Sequence, residues 1–410
     1  MRNLILMHLE SLNFVNYRVN RDKFPNLSFW EKRSLSFANY FSTATSTLMV
    51  LGDLMYGGMQ QYEMCSYLNY IPEKYCYQNS LFDCLESRGY VTEVLCYPDD
   101  EDFEGGKKRH IAGFQSEMKA FQQYEDYLRE AERVMDTGKP FAMLLVDVIS
   151  NVAVNYRIPN GRCESGLDRR RRGYQYMDAC AGRIFDLLEE KNLADNTTII
   201  FYGDHGDEYF AHGNHKGLTH AIEPYASLVH TPLWIYDNRL TGNKSCSDLI
   251  STIDIRGIAE RMLDMPEETF SWRQLNLPER RHVLTRNAYA AQPVRSGSFN
   301  KGYALIDGRF LFMASNNGLE MYDIEMDMQC QNNLLNYFTY EQGILHLNKE
   351  LNESLNSHYR YIFDMGTIRQ IRQNFYFYRE ELYEKVLELF FGAECEDRIT
   401  DINFEQIHYI

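Results

Sequence analysis

Thr197 to Gly213 reads TTIIFYGDHGDEYFAHG. Thr198 to Tyr202 is a β-branched and aromatic run bounded by polar residues, the pattern of a short buried strand. Gly203 ends the run, and Asp204, His205 and Gly206 follow it at once. In open α/β sheets ligands bind at that C-terminal edge. A carboxylate beside an imidazole suits a divalent metal such as zinc or manganese. A plain turn also uses Asp and Gly, but it does not need the histidines that follow. His205, His212, His215 and His220 place four of the chain's 11 histidines in one stretch, with Lys216 among them. The loop reads as half of an anion-handling metal site.

The other half is sought at the ends of other strands. Asn3 to Leu9, NLILMHL, is a first strand, and Glu10 follows it directly, repeating the geometry of Asp204. The hydroxyl-rich Ser42-Thr43-Ala44-Thr45-Ser46-Thr47 precedes LMVLGDLMYGG, whose Leu48, Leu51 and Met55 form one helix face stopped by Gly57 and Gly58. The hydroxyls therefore stand at a helix N-terminus, where unpaired N–H groups and the helix dipole favour an anion. Capping alone needs only one of them.

Further strands are expected at Val91–Tyr97, Pro140–Ile149 and Thr231–Tyr236. Helices are expected at Leu27–Ser36, Ser80–Arg88, Glu117–Met135, Tyr174–Lys191 and Ser247–Leu263. The basic run Arg169–Arg172 reads as a solvated face, with guidance of an anionic substrate as the alternative. Past Glu279 short strands appear (Gly302–Ile306, Arg309–Ala314, Leu319–Asp323), then helices at Glu341–Leu355 and Tyr378–Phe391. The alternation predicts an α/β fold: a doubly wound, mostly parallel central sheet flanked by helices over residues 1–280. A small C-terminal antiparallel-sheet-plus-helix subdomain is expected over 281–410.

Composition narrows the function. The chain has 410 residues, 44% of them hydrophobic, enough for a large core and a smaller one. A net charge of −16 argues against general nucleic-acid binding. No apolar run reaches the length of a membrane span, which leaves peripheral membrane association as the only expected kind. The 9 cysteines, odd in number and without CxxC spacing, read as reduced thiols of a cytoplasmic protein.

Taken together these stretches resemble the alkaline phosphatase superfamily in its sulfatase-like branch. NLILMHLESL is similar to its first strand and metal carboxylate, and FPNLSFWEKRSLSFANYF to the segment before the nucleophile. GYQYMDACAGRIFDLLEEKNLADNTTIIFYGDHGDE resembles its most recognisable stretch. GYALIDGRFLFM with LEMYDIEMDMQCQNNLLN resembles the C-terminal subdomain of sulfatases. The sulfatase pattern C/S-x-P-x-R, laid without gaps on STATSTLMVLG from Gly52, puts the nucleophile at Ser42. Ala44 and Ser46 then replace the Pro and Arg that formylglycine formation uses. Glu10, Asp204-His205 and an unmodified hydroxyl instead resemble lipoteichoic acid synthases and phosphoethanolamine transferases.

That resemblance implies that Glu10, Ser42, Asp204 and His205 bind one divalent ion, zinc or manganese. It makes Ser42 the nucleophile, with Thr43 and Thr45 as alternatives, and gives catalytic roles to His212 and Lys216. Substrate contacts fall to Asn151, His215 and His220; the central strand itself ends in Asp147-Val148-Ile149-Ser150-Asn151, with no His. The implied activity is a metal-dependent phosphotransferase or phosphodiesterase acting through a phospho-serine. Its substrate is a small-molecule or glycan-linked phosphodiester, with no nucleic acid involved. The alternatives are a sulfuric ester hydrolase and a non-catalytic binding module with the same fold.

Overall fold

Seven residues, Asn3–Leu9, form β1, and all seven are buried. Both faces are apolar because helices cover both, as a central parallel strand requires. In this computed structural model the described residues are 1–59, 62–66, 69–72, 79–98, 118–150, 166–209, 211–212, 220–242, 244–287, 302–315, 318–354 and 364–391.

Seven further strands complete the main sheet: β2 (Leu35–Phe41), β3 (Val91–Tyr97), β4 (Met118–Ala120), β5 (Phe141–Asp147), β6 (Thr197–Gly203), β7 (Leu233–Tyr236) and β8 (Ser245–Ser251). Their order is β8-β2-β7-β6-β1-β5-β3-β4. Only β7 runs against the rest, pairing antiparallel with β2 and β6. β1 and β6 pair in parallel with His8 opposite Tyr202 and Leu9 opposite Gly203. That register carries Glu10 and Asp204 out side by side, one step past the strand ends.

Side chains alternate across the sheet. Leu4 and Leu6 join one core, while Ile5, Met7 and Leu9 join the other. His8 and Glu10 share the parity of Leu4 and Leu6. The same core holds Met49, Val50, Leu51 and Leu54 of the helix α3 (Thr47–Tyr56), so α3 stands on the face where His8 and Glu10 project. The preceding helices α1 (Phe14–Val19) and α2 (Pro25–Glu31) lead from β1 to β2. On the far face lie α5 (Tyr124–Met135) and α6 (Gly166–Glu190); α4 (Leu81–Ser87) and α7 (Asp254–Asp264) pack with α3. Each large apolar side chain fully buried this way contributes about 1.5–3 kcal/mol.

The C-terminal part is a four-stranded antiparallel sheet: β9 (Val283–Arg286), β10 (Gly302–Ile306), β11 (Phe310–Ser315) and β12 (Gly318–Asp323). One helix, α8 (Met365–Phe391), covers it through Ile368, Ile371, Phe375, Tyr378 and Leu382.

Several boundaries differ from the sequence reading. Ser247–Leu263 is not one helix: β8 ends at Ser251, where the Ser251 N–H donates to Asp254 Oδ2 at 2.8 Å and starts α7. The edge pairing of β8 with β2 overrides the helical spacing. Leu27–Ser36 divides likewise into α2, with a Pro in its first turn, and the start of β2. Glu117–Met135 holds β4 before α5, and Glu341–Leu355 begins in a hairpin of Phe338–Glu341 with Ile344–Leu347.

Candidate active site

Three elements meet at the C-terminal edge of the sheet. β1 delivers His8 and Glu10, the turn after β6 delivers Asp204 and His205, and the first residue of α3 is Thr47. Thr47 Oγ1 lies 3.3 Å from Glu10 Oε2 and 3.1 Å from His205 Nε2. His205 Nδ1 donates to the Gly206 carbonyl at 2.9 Å. That bond fixes the tautomer and leaves Nε2 facing Thr47 with its lone pair.

The loop after β1 is braced. Ser11 sits at φ 57, a left-handed conformation that an ordinary side chain rarely adopts. There its N–H donates to Asp204 Oδ1 and its hydroxyl to Glu10 Oε1, both at 2.9 Å. Tyr174 of α6 donates to the Ser11 carbonyl at 2.7 Å, and Ser150 to the Glu10 carbonyl at 2.8 Å. At Gly206 a Cβ would stand 2.0 Å from the Ser227 carbonyl oxygen, so the loop closes only on glycine.

His8, Glu10 and Asp204 are fully buried and present ligand atoms within 4.8 Å of one another. His8 Nε2 is 3.1 Å from Asp204 Oδ2 and 3.3 Å from Glu10 Oε2. Yet neither His8 Nε2 nor Asp204 Oδ2 makes a hydrogen bond of normal geometry. The three groups lie close enough to share one divalent cation at a common point, where it would displace the proton that, against the burial of His8, the Asp204 and Glu10 carboxylates favour on that ring. Buried polar atoms left unpaired are costly, and a divalent cation at that point satisfies them. Burial, and then the Asp204 carboxylate beside it, pushes Glu10 up to about 7. Burial also acts against the charge of Asp204, but His205 and His8 outweigh it and hold that carboxyl low. Two carboxylates, two imidazoles and a hydroxyl therefore fit a divalent ion by donor type.

The structure places Thr47, and not Ser42, at the carboxylates. Ser42 Oγ donates to the Ala44 carbonyl at 2.9 Å, and the Ser42 N–H to Val229 at 2.7 Å. Thr43 Oγ1 donates to Asp53 Oδ2 at 2.6 Å, and Thr45 Oγ1 to the Ile222 carbonyl at 3.0 Å. These three hydroxyls hold the turn that presents Thr47. His212 also turns away. One ring nitrogen meets the Glu208 carboxylate, the other the Cys330 carbonyl at 2.8 Å, and the ring lies on Tyr225 at 3.8 Å. It joins the β6 loop to the segment after β12. His220 does reach the site, its ring stacked on His205 at 4.4 Å. Asn151, His215 and Lys216 lie outside the described residues.

Sequence reasoning missed His8, Thr47, Asp207 and Arg170. His8 carries a usable signal, since it stands two residues before Glu10 on a strand and hence on the same face. Among the described residues no helix is long and apolar enough to cross a membrane.

Comparison with known proteins places the chain by family and by fold. Residues 2–256 match the Sulfatase family model. An arylsulfatase of Clostridium perfringens is 26% identical over 187 residues, 44% of this chain. The aligned stretch spans only 38% of that relative's length. Among solved structures, a 2-O GAG sulfatase superposes with a TM-score of 0.58 at 14% identity, covering 90% of this chain and 92% of the other. The lipoteichoic acid synthase LtaP from Listeria monocytogenes gives 0.51 at 14% identity, covering 80% and 88%. At such identities the two superpositions establish a shared fold. The family match covers more than half of the chain, its site-bearing strands included, and the chain belongs to the Sulfatase family.

Proposed function

We propose that this sulfatase-family chain is a metal-dependent enzyme that opens a phosphodiester by attack of the Thr47 hydroxyl. The observation that carries this reading is the position of Thr47 Oγ1, between His205 Nε2 and Glu10 at the start of α3. Glu10, Asp204, His205 and His8 would hold the ion, zinc or manganese, with Thr47 Oγ1 as a further donor. When bound, the ion lowers the pKa of that hydroxyl and offsets charge on the transferred group.

In this scheme Thr47 Oγ1 forms the new bond to phosphorus, and the bond from phosphorus to the departing ester oxygen breaks. The Thr47 proton leaves along its hydrogen bond to Glu10, and the departing alkoxide takes a proton from solvent. The first-turn N–H groups of α3 face the non-bridging oxygens. Attack by water or a second alcohol on the phospho-threonine then restores Thr47.

A second reading, hydrolysis of a sulfate ester, is favoured by the named relatives, an arylsulfatase and the fold of a GAG sulfatase. The same hydroxyl would then accept the sulfuryl group, with a sulfated glycan as substrate class. Formylglycine has no place at Thr47, because its formation oxidises a Cβ that bears two hydrogens and the threonine Cβ bears a methyl.

The test is a paired assay of bis(p-nitrophenyl) phosphate and p-nitrophenyl sulfate with zinc- or manganese-loaded protein. Diester turnover that disappears in Thr47→Ala and persists in Ser42→Ala supports the main reading. Sulfate turnover without diester turnover selects the second. Turnover that survives Thr47→Ala removes Thr47 from either.

A further inference from the structure

Most of the cluster is sealed. His8, Glu10, Asp204, His205 and Asp207 are buried. Thr47 and His220 are the members, among the described residues, whose side chains reach solvent; that of His220 is 24% exposed. Whatever enters the site meets these two first.

His220 is not held by its own loop alone. Its Nδ1 lies 3.3 Å from Asp207 Oδ1, and Asp207 in turn pairs with the guanidinium of Arg170. Arg170 belongs to the basic run at the start of α6. Arg171, next to it, behaves as a run of charge on a helix usually does, exposed and paired with Asp168. Arg170 has the opposite fate: it is 2% exposed and turned under the site. A buried guanidinium survives only with a partner, and this one braces both walls. One arm holds Asp207; the other donates to Ser150 Oγ at 3.4 Å, and Ser150 holds the Glu10 carbonyl at 2.8 Å.

The chemistry of the contact sets the state of His220. Arg170 keeps Asp207 ionised, so Asp207 can only accept. The proton on the facing edge of His220 is therefore on Nδ1. Asp207 thus holds the Nδ1 proton and the plane of the ring, which lies against His205 at an interplanar angle of 25°.

We infer that Arg170 is a positioning residue of this site: through Asp207 it fixes His220 so that His220 and Thr47 together receive a tetrahedral oxyanion. The inference rests on the reading that Thr47 marks the reactive centre, and its test reads binding, not turnover. The probe is tungstate, titrated calorimetrically into the full-length, divalent-metal-loaded chain, with metal stoichiometry measured for each variant.

The expected result is that His220→Asn and Arg170→Gln each weaken tungstate about tenfold or more, the scale of an outer partner that orients an inner group, while the metal content is unchanged. Arg170→Lys, which keeps the charge, restores affinity toward wild type. In long-range proton–nitrogen spectra of histidine-labelled protein, the signals that vanish in His220→Asn show a single Nδ1-protonated tautomer in wild type. They show mixed tautomers in Arg170→Gln. Should Arg170→Gln fail to fold, Asp207→Asn is read in its place with the same expectation. Wild-type tungstate affinity or a single tautomer in the Arg170 or Asp207 variant overturns the positioning role. Wild-type affinity in His220→Asn overturns the contact itself. Turnover that survives Thr47→Ala, while His220→Asn and Arg170→Gln still weaken tungstate, would mark a failed assignment of Thr47 as nucleophile and leave the positioning role standing, so the two failures are distinguishable.

Discussion

Two buried polar clusters share the helix α3, and they differ in whether the chain supplies the cation. At Asp53, seventh in the helix, the carboxylate takes two bonds from Arg286 of β9 at 2.8 and 3.0 Å and a third from Thr43 at 2.6 Å. Both members of that pair are fully buried. At Thr47, the first residue, two carboxylates and two imidazoles converge with no arginine or lysine bonded to Glu10 or Asp204 among the described residues. The first cluster is complete without a ligand and fixes where the helix sits. The second is arranged as if for a cation that the fold does not provide. Burial alone does not separate structure from function here; the state of the lone pairs does.

The largest way to break this contrast is at the two sets of hydroxyls. Thr47→Ala is expected to lower turnover by at least about 10³-fold, as loss of a nucleophile does. Ser42→Ala, which removes the hydroxyl's bonds to the Ala44 carbonyl and from the Ala44 N–H at 2.9 and 3.4 Å, is expected to cost about 1 kcal/mol of stability and leave the rate nearly unchanged. Steady-state rates with urea unfolding check both. Equal losses of rate would mean that the two hydroxyls are not divided as described.

Next in size is the closed cluster. Asp53→Ala leaves Arg286 buried without its main partner and is expected to cost about 3–5 kcal/mol, read as a fall in the urea midpoint. Glu10→Gln, in metal-free protein, is expected to hold or raise the midpoint, because it removes one of two adjacent buried carboxylates. Opposite signs for two buried acids about one helix would be hard to explain unless one has its cation and the other awaits one.

The ion itself gives a third, smaller effect. Zinc or manganese at a hundred times its dissociation constant is expected to stabilise wild type by about 2.7 kcal/mol. A chelator reverses the gain, and Glu10→Gln or His8→Ala reduces it at equal ion concentration. Thermal melts with and without the ion test this. An increment that survives in both variants would place the ion elsewhere.

The same contrast explains what the sequence disclosed. Glu10, Asp204 and His205 were legible because each directly follows an apolar run, and the end of such a run fixes a place in an α/β sheet. The sheet and the C-terminal antiparallel layer were legible for the same reason. Thr47 was not. Five hydroxyl residues lie between Ser42 and Thr47, chemically near-equivalent, and only the backbone turn decides which one heads α3. Counting back from Gly52 without a gap chose a residue whose hydroxyl is spent on that turn. Arg170 was hidden similarly, since a run of four arginines does not reveal the phase of its helix. Helix boundaries near β8 and β2 failed where pairing at a sheet edge overrode local spacing.

The finest test uses a third buried acid that falls between the two clusters. Asp147 ends β5 and lines a small cavity with His8, Tyr127, Met177 and Cys180. It accepts from the Ile149 N–H at 2.9 Å, and no arginine or lysine pairs with it among the described residues. Burial pushes its carboxyl up from 3.8 to about 6, partly offset by that N–H. The folded chain therefore binds this proton more tightly than the unfolded chain. Stability from Asp147 is present at low pH and is lost as pH rises from 3.8 to about 6, by at most about 1.4 kcal/mol per pH unit. Asp237, which burial raises but Arg239 and Thr198 pull down below its ordinary value, has the opposite sign and loses stability as pH falls. The asparagine matches the neutral acid and does not titrate, so urea midpoints of wild type and Asp147→Asn should lie close at low pH, separate as pH rises with wild type falling below the variant, and then run parallel. Wild type rising above Asp147→Asn as pH rises would mean that Asp147 has a cation of its own and belongs with Asp53, whereas wild type falling below the variant groups Asp147 with acids whose carboxyl is raised mainly by burial.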